Sequence, residues 1–182
     1  MSILMPVAIF WGIITTCPAD SCQEVIRDSA GRVIQRIKHE SISGGVVKSV
    51  IRDASGRITG TSTSQTHGTA VRTQYRDSSG RLAGTATTQS SGGTTSRTSY
   101  RDASGRMTAS AQTIKSGGTT NRTQFRDASG RLLGSETTTS SGSGSISATQ
   151  RDASGRLTGT GSGNGKCASM TRVPAPPQPA KK

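Results

Sequence analysis

Aromatic side chains are nearly absent: Trp, Tyr and Phe together number five in 182 residues. So few rings supply neither a large aromatic core nor a base-stacking platform for nucleic acid. Aliphatic residues are scarce as well. Only 27 residues are Leu, Ile, Val or Phe, and seven of these fall in the first sixteen positions. That fraction is below the roughly 20% at which chains drift toward disorder. Acidic residues are outnumbered, 10 against 23 Lys and Arg, for a formal charge of +13. By composition alone, such a chain buries too little apolar surface to offset the entropy of ordering its backbone.

Catalytic signals are missing too. The two histidines, His39 and His67, both stand beside Ser or Gly turns. Neither belongs to a Ser-His-Asp or Cys-His pattern. There is no phosphate-binding loop or dinucleotide fingerprint, and "SGSGS" at 141–145 leads into no helix pattern. The chain reads as non-enzymatic, with no catalytic, cofactor or metal site. Its three cysteines, Cys17, Cys22 and Cys167, lack metal-ligand spacing. Cys22 and Cys167 flank the central block and are a candidate disulfide in an exported chain.

What the chain has instead is regularity. The stretches "IRDSAGR", "IRDASGR", "YRDSSGR", "YRDASGR", "FRDASGR" and "QRDASGR" recur, with their first Arg at 27, 52, 76, 101, 126 and 151. A period of about 25 residues marks a repeat architecture. Midway through the periods lies a second turn signal: Ser43-Gly44-Gly45, His67-Gly68, Ser91-Gly92-Gly93, Ser116-Gly117-Gly118 and Gly142-Ser143-Gly144. Each period is therefore turn, arm, turn, arm. The arms have strand length, are rich in Thr and show no helical apolar stripe. Period two gives Met107, Ala109, Ala111 and Thr113 on one face of an arm, and Leu82, Gly84, Ala86 and Thr88 on another.

The turn itself has a mechanism. Asp28, Asp53, Asp77, Asp102, Asp127 and Asp152 can each accept backbone N–H bonds two residues on. Gly31, Gly56, Gly80, Gly105, Gly130 and Gly155 supply the bend, being free to take positive φ. The flanking arginines are within reach of the Asp.

Two architectures fit. In a β-solenoid each period is one rung, stacked about 4.8 Å from the next. In a β-meander each period is a hairpin, and the sheet curls or closes. The expected fold class is thus all-β: six strand–turn–strand units in a β-solenoid or curled β-meander. The first period, with Val33, Ile34, Ile37, Val46, Val47, Val50 and Ile51, is the expected nucleus or cap. Residues 1–21 read as a secretion signal or apolar leader, although no Lys or Arg precedes the apolar run and Pro6 interrupts it. "ITTC", ending at Cys17, is a weaker lipid-anchor pattern. Residues 22–160 form the repeat domain. Residues 161–182 read as a Gly/Pro-rich, basic, disordered tail.

The repeat unit resembles the YD repeat of RHS-type and toxin-shell proteins. Tyr75, Tyr100 and Phe125 lie two before the Asp, and Gly-Arg-Leu recurs at 80–82, 130–132 and 155–157. The resemblance spans residues 25–160 and implies hairpins in long curling sheets. This chain departs from the pattern in placing Arg at the second aromatic position and in having a longer period. The two-arm layout is also similar to that of curli-type amyloid subunits.

These readings lead to one expected function: a secreted or cell-surface structural or adhesive protein of bacterial type, self-associating through open sheet ends. Anionic surface polymers are natural partners of the charge. The alternatives are a polyanion- or nucleic-acid-binding protein, with nucleic acid disfavoured by the dispersed Arg, and a largely disordered repeat fragment. Membrane attachment is expected only through the leader or Cys17.

Overall fold

A computed structural model describes residues 21–142 and 144–165. Residues 1–20, Ser143 and 166–182 lie outside the described residues. The leader, the Cys17 anchor pattern, Cys167 and most of the tail belong to those segments.

Among the described residues twelve antiparallel strands follow one another. They are β1 (Ser21–Asp28), β2 (Val33–Ile42), β3 (Val46–Asp53), β4 (Ile58–His67), β5 (Ala70–Asp77) and β6 (Leu82–Ser91), then β7 (Thr95–Asp102), β8 (Met107–Ser116), β9 (Thr120–Asp127), β10 (Leu132–Ser140), β11 (Ile146–Asp152) and β12 (Leu157–Gly165). Each pairs with its neighbours in sequence, and β1 pairs with β12, so the sheet is a closed barrel. At the seam Cys22 stands opposite Gly165 and Val25 opposite Ser162.

The expectation of a solenoid or a curled open array is overturned. Every pairing is antiparallel and, apart from β1 with β12, between chain neighbours, which excludes stacked rungs. The β1–β12 ladder leaves no open edge, which excludes a merely curled sheet. With no edge to cover, the first period is not a cap: β2 and β3 are ordinary staves of the wall. Residues 161–165, read as tail, belong to β12.

The physical reason for closure lies in a detail repeated six times. Just after each Asp turn the second strand carries one extra residue, so that Ile26 pairs with Gln35 while Arg27 pairs with Val33. The same register shift occurs in the pairs β3–β4, β5–β6, β7–β8, β9–β10 and β11–β12. A bulge bends its strand and raises the local twist. Six bulges at one rim curl the sheet progressively until its ends meet.

The turns are locked alike. Gly31 N donates to Asp28 O at 3.0 Å and Asp28 N to Arg32 O at 2.9 Å. This is a type I turn closed by a left-handed glycine, with Gly31 at φ 79°. Asp28 Oδ1 also accepts from Ala30 N and Arg32 N, at 3.0 and 2.9 Å. The equivalent bonds recur at Asp53, Asp77, Asp102, Asp127 and Asp152.

The inner face is built of small residues. Ala86, Ala109, Ala111 and Ala148 are buried there, with Ser49, Ser64, Thr73, Thr88, Thr98 and Thr123. The hydroxyls pair across strands, Thr88 with Thr98 at 2.7 Å and Ser64 with Thr73 at 2.8 Å, so they are buried without being left unsatisfied. The outer wall carries exposed Arg72, Arg97 and Arg122 among Gln, Thr and Ser. Exposed Ile114, opposite Arg122, and exposed Ile42, opposite Val46, stand on the same face. Among the described residues no helix is long and apolar enough to cross a membrane.

A candidate ligand cavity beneath the turn rim

The residue two before each Asp points inward, at one level of the barrel. The six are Ile26, Ile51, Tyr75, Tyr100, Phe125 and Gln150. Across the bulge, each of these faces a residue that is usually small: Tyr75 opposes Gly84, Tyr100 opposes Ala109, Phe125 opposes Gly134 and Ile51 opposes Gly60. Bulky against small is what allows a ring of large side chains inside a wall of uniform thickness. Tyr100 and Phe125 pack with Ala86, Ala109 and Ala111, and Tyr75 joins them.

Twelve strands enclose more space than these side chains fill, because barrel diameter grows with strand number and eight strands already fit a packed core. The result is a cavity of about 760 Å³ lined by all six of these residues, with Ile37 completing the apolar wall. Its mouth is framed by the bulge residues, among them Ile34, Ala83 and Leu133. The size and apolar lining fall within the range of small-molecule sites.

Polar groups interrupt the lining: Gln35, Gln150, Thr85 and Ser135, with Thr108, Thr158 and the turn-end residues Arg101, Asp102, Arg151 and Asp152. Gln150 stands where the other repeats carry Ile, Tyr or Phe. Its Nε2 donates to Glu136 Oε2 at 3.0 Å, and Thr138 Oγ1 donates to Glu136 Oε1 at 3.0 Å. Glu136 is 4% exposed, so a buried acidic side chain braced by the amide lies behind Gln150. Burial pushes the Tyr75 hydroxyl well above the usual tyrosine range, which keeps it neutral.

The turn aspartates guard the same rim. Asp28 is held below the ordinary carboxylate range chiefly by the Arg32 N–H, and Asp53, Asp102 and Asp152 chiefly by the hydroxyls of Ser55, Ser104 and Ser154. Asp28 also forms an ion pair with the Arg32 side chain, Nε to Oδ2 at 2.9 Å. The Arg before each Asp turns elsewhere: Arg27 Nη1 donates to Gly31 O at 3.0 Å, and Arg52, Arg76, Arg101, Arg126 and Arg151 repeat that bond. The Arg before each turn, within reach of the Asp in the sequence, therefore caps the turn glycine's carbonyl instead.

Sequence reading missed one cluster. His39 on β2 meets Ser49 on β3 through Nδ1 at 2.8 Å, while its Nε2 lies 3.6 Å from Oε1 of buried Glu24 on β1. These residues are 10 to 25 positions apart, and no local motif joins them. His67 is exposed at the end of β4 and takes no part. Among the described residues no group of three His, Cys, Asp or Glu is placed to hold a metal ion. Cys22 is buried and disulfide-bonded, with its partner outside the described residues.

No family model, curated protein or solved structure matches this chain. The likeness to YD repeats rests on the motif residues alone.

Proposed function

We propose that the protein is a non-enzymatic binding barrel that carries a small, predominantly apolar molecule in an extracytoplasmic setting. The cavity beneath the turn rim is the observation that carries this reading: it is large, lined by Ile, Tyr and Phe, and enclosed by a wall whose outer face is mostly polar. The ligand that fits is an apolar body with one polar end. The body lies against Ile26, Ile51, Tyr75, Tyr100 and Phe125, and the polar end meets Gln150 and the carboxylate behind it. The disulfide at Cys22 supports an oxidising compartment, in keeping with the export expected of the leader.

A secreted structural or adhesive module is the second reading, favoured by the six identical turn locks. Its assembly by strand addition finds no free strand edge on a closed barrel.

Titration with the neutral fluorophore N-phenyl-1-naphthylamine tests the carrier. Saturable, stoichiometric enhancement at micromolar concentration is expected. It should weaken at least fivefold in Gln150→Phe, which fills the cavity at its polar gap. A folded protein with no saturable enhancement overturns the carrier reading.

A further inference from the structure

The turn rim bears a feature that neither the barrel nor its cavity requires. Ile58, Leu82, Met107 and Leu157 are large aliphatic residues exposed by 42, 38, 38 and 36%. Val33 and Leu132, at the same place in their repeats, are half-buried. Each is the first residue after the turn, and each pairs directly with the Arg before the turn: Arg52 with Ile58, Arg76 with Leu82, Arg101 with Met107, Arg151 with Leu157. Paired residues share a face, so six aliphatic and six Arg side chains alternate around the outside of one rim.

The arginines reach toward the tip. Each Nη1 is bonded to the turn glycine carbonyl. That fixes the guanidinium at the end of the barrel and occupies one of its five N–H donors. A second Arg closes each turn, so the rim carries twelve Arg against six Asp, a net +6. One oxygen of each aspartate, Oδ1, accepts from the turn backbone, and the arginines outnumber the aspartates two to one, so cations dominate the outward chemistry.

We propose that this rim docks end-on against an anionic lipid surface, with the cavity mouth facing the bilayer. Deep insertion is not required, since the wall below the ring is mostly polar. A soluble polyanion would match the charge but would leave the aliphatic ring without a role. A lipid interface uses both, seating the aliphatics at the acyl boundary and the guanidiniums among phosphate headgroups. The orientation of the mouth rests on the carrier reading above; the docking itself does not.

Co-sedimentation of the full chain with vesicles tests it. Vesicles of phosphatidylcholine with about one third phosphatidylglycerol should bind at least tenfold more tightly than pure phosphatidylcholine, and 0.5 M NaCl should weaken binding. The surface substitutions Leu82→Ser and Met107→Ser together should weaken it at least threefold. Arg76→Lys with Arg101→Lys should retain it, because charge is kept. N-phenyl-1-naphthylamine binding in solution should be unchanged in the serine variant, which separates the two proposals: loss of fluorophore binding in the parent with vesicle binding intact sinks only the carrier. Equal binding of parent and serine variant, or tighter binding to heparin or duplex DNA than to anionic vesicles, overturns the lipid surface in favour of a polyanion. No binding to anionic vesicles overturns docking.

Discussion

Gly84→Ala is the sharpest mutational test of the barrel wall. Gly84 lies on the inner face of β6, opposite Tyr75 on β5 and Asp102 on β7. A methyl group there would sit 2.5 Å from the Arg101 carbonyl oxygen, with the Arg101 carbonyl carbon and Asp102 Cα both at 3.6 Å. The oxygen belongs to the backbone of a paired strand and cannot swing away. β6 and β7 must part by roughly 0.5 Å, and because the neighbour is backbone the cost lies in the upper part of the overpacking range, about 2–3 kcal/mol. Ala also restricts the unfolded chain, which offsets about 0.4–1 kcal/mol. The clash wins, for a net loss of about 1–2 kcal/mol. At about 2–4 °C per kcal/mol, the midpoint falls by about 2–8 °C. Thermal unfolding followed by circular dichroism near 218 nm reads it. Gly142→Ala is the control: its added methyl meets nothing within 4 Å. A Gly84→Ala protein as stable as its parent would refute the close approach of β6 and β7.

Acid should unfold the barrel through its turns. Asp28, Asp53, Asp102 and Asp152 are depressed in the fold, so their stabilising effect is complete above the unfolded carboxylate value near 3.9 and is lost as pH falls through the folded values. The denaturation midpoint in urea should therefore drop below about pH 4; a flat profile from pH 6 to 2 contradicts the turn locks. Tyr75 is raised, so neutral Tyr75 favours the fold below about pH 10 and the benefit fades as pH rises above that value. Absorbance at 295 nm should show its titration delayed until the barrel opens; ordinary titration of both tyrosines at pH 10 in folded protein contradicts its burial. Cys22 faces Gly165 across the seam, and non-reducing peptide mapping is expected to find it joined to Cys167. Reduction should cost about 2–4 kcal/mol; a Cys17–Cys22 peptide contradicts the pairing, and unchanged stability contradicts the magnitude.

The hairpin unit was legible because Asp, Gly and their spacing act locally. Strand faces were legible where alternation was undisturbed: Ala109, Ala111 and Thr113 share a face, as do Gly84, Ala86 and Thr88. The same alternation put Met107 and Leu82 inside. The bulge between each of them and the rest of its strand moves them outward, beside an Arg. No residue type announced that bulge, and it is also what curls the sheet. Closure depends on strand number and accumulated twist, quantities that no seven-residue motif contains. The cavity followed closure out of view. Three of its lining residues, Tyr75, Tyr100 and Phe125, were visible as aromatics before their turns, but six hairpins had to meet before such residues could face one another. The Glu24–His39–Ser49 cluster was hidden for the same reason: it joins three strands through registers that only the folded wall defines.

Closure is tested most directly at the seam between β1 and β12. Nuclear Overhauser contacts should be sought between the backbones of Val25 and Ser162 in the assigned protein. Paired strands bring those Cα atoms within about 5.5 Å, so strong contacts are expected, together with slow amide exchange along both strands. An open sheet of twelve strands would separate them by about 50 Å at 4.8 Å per strand. Absent contacts, with β1 and β12 amides exchanging as free edges, would contradict the barrel and remove the cavity with it.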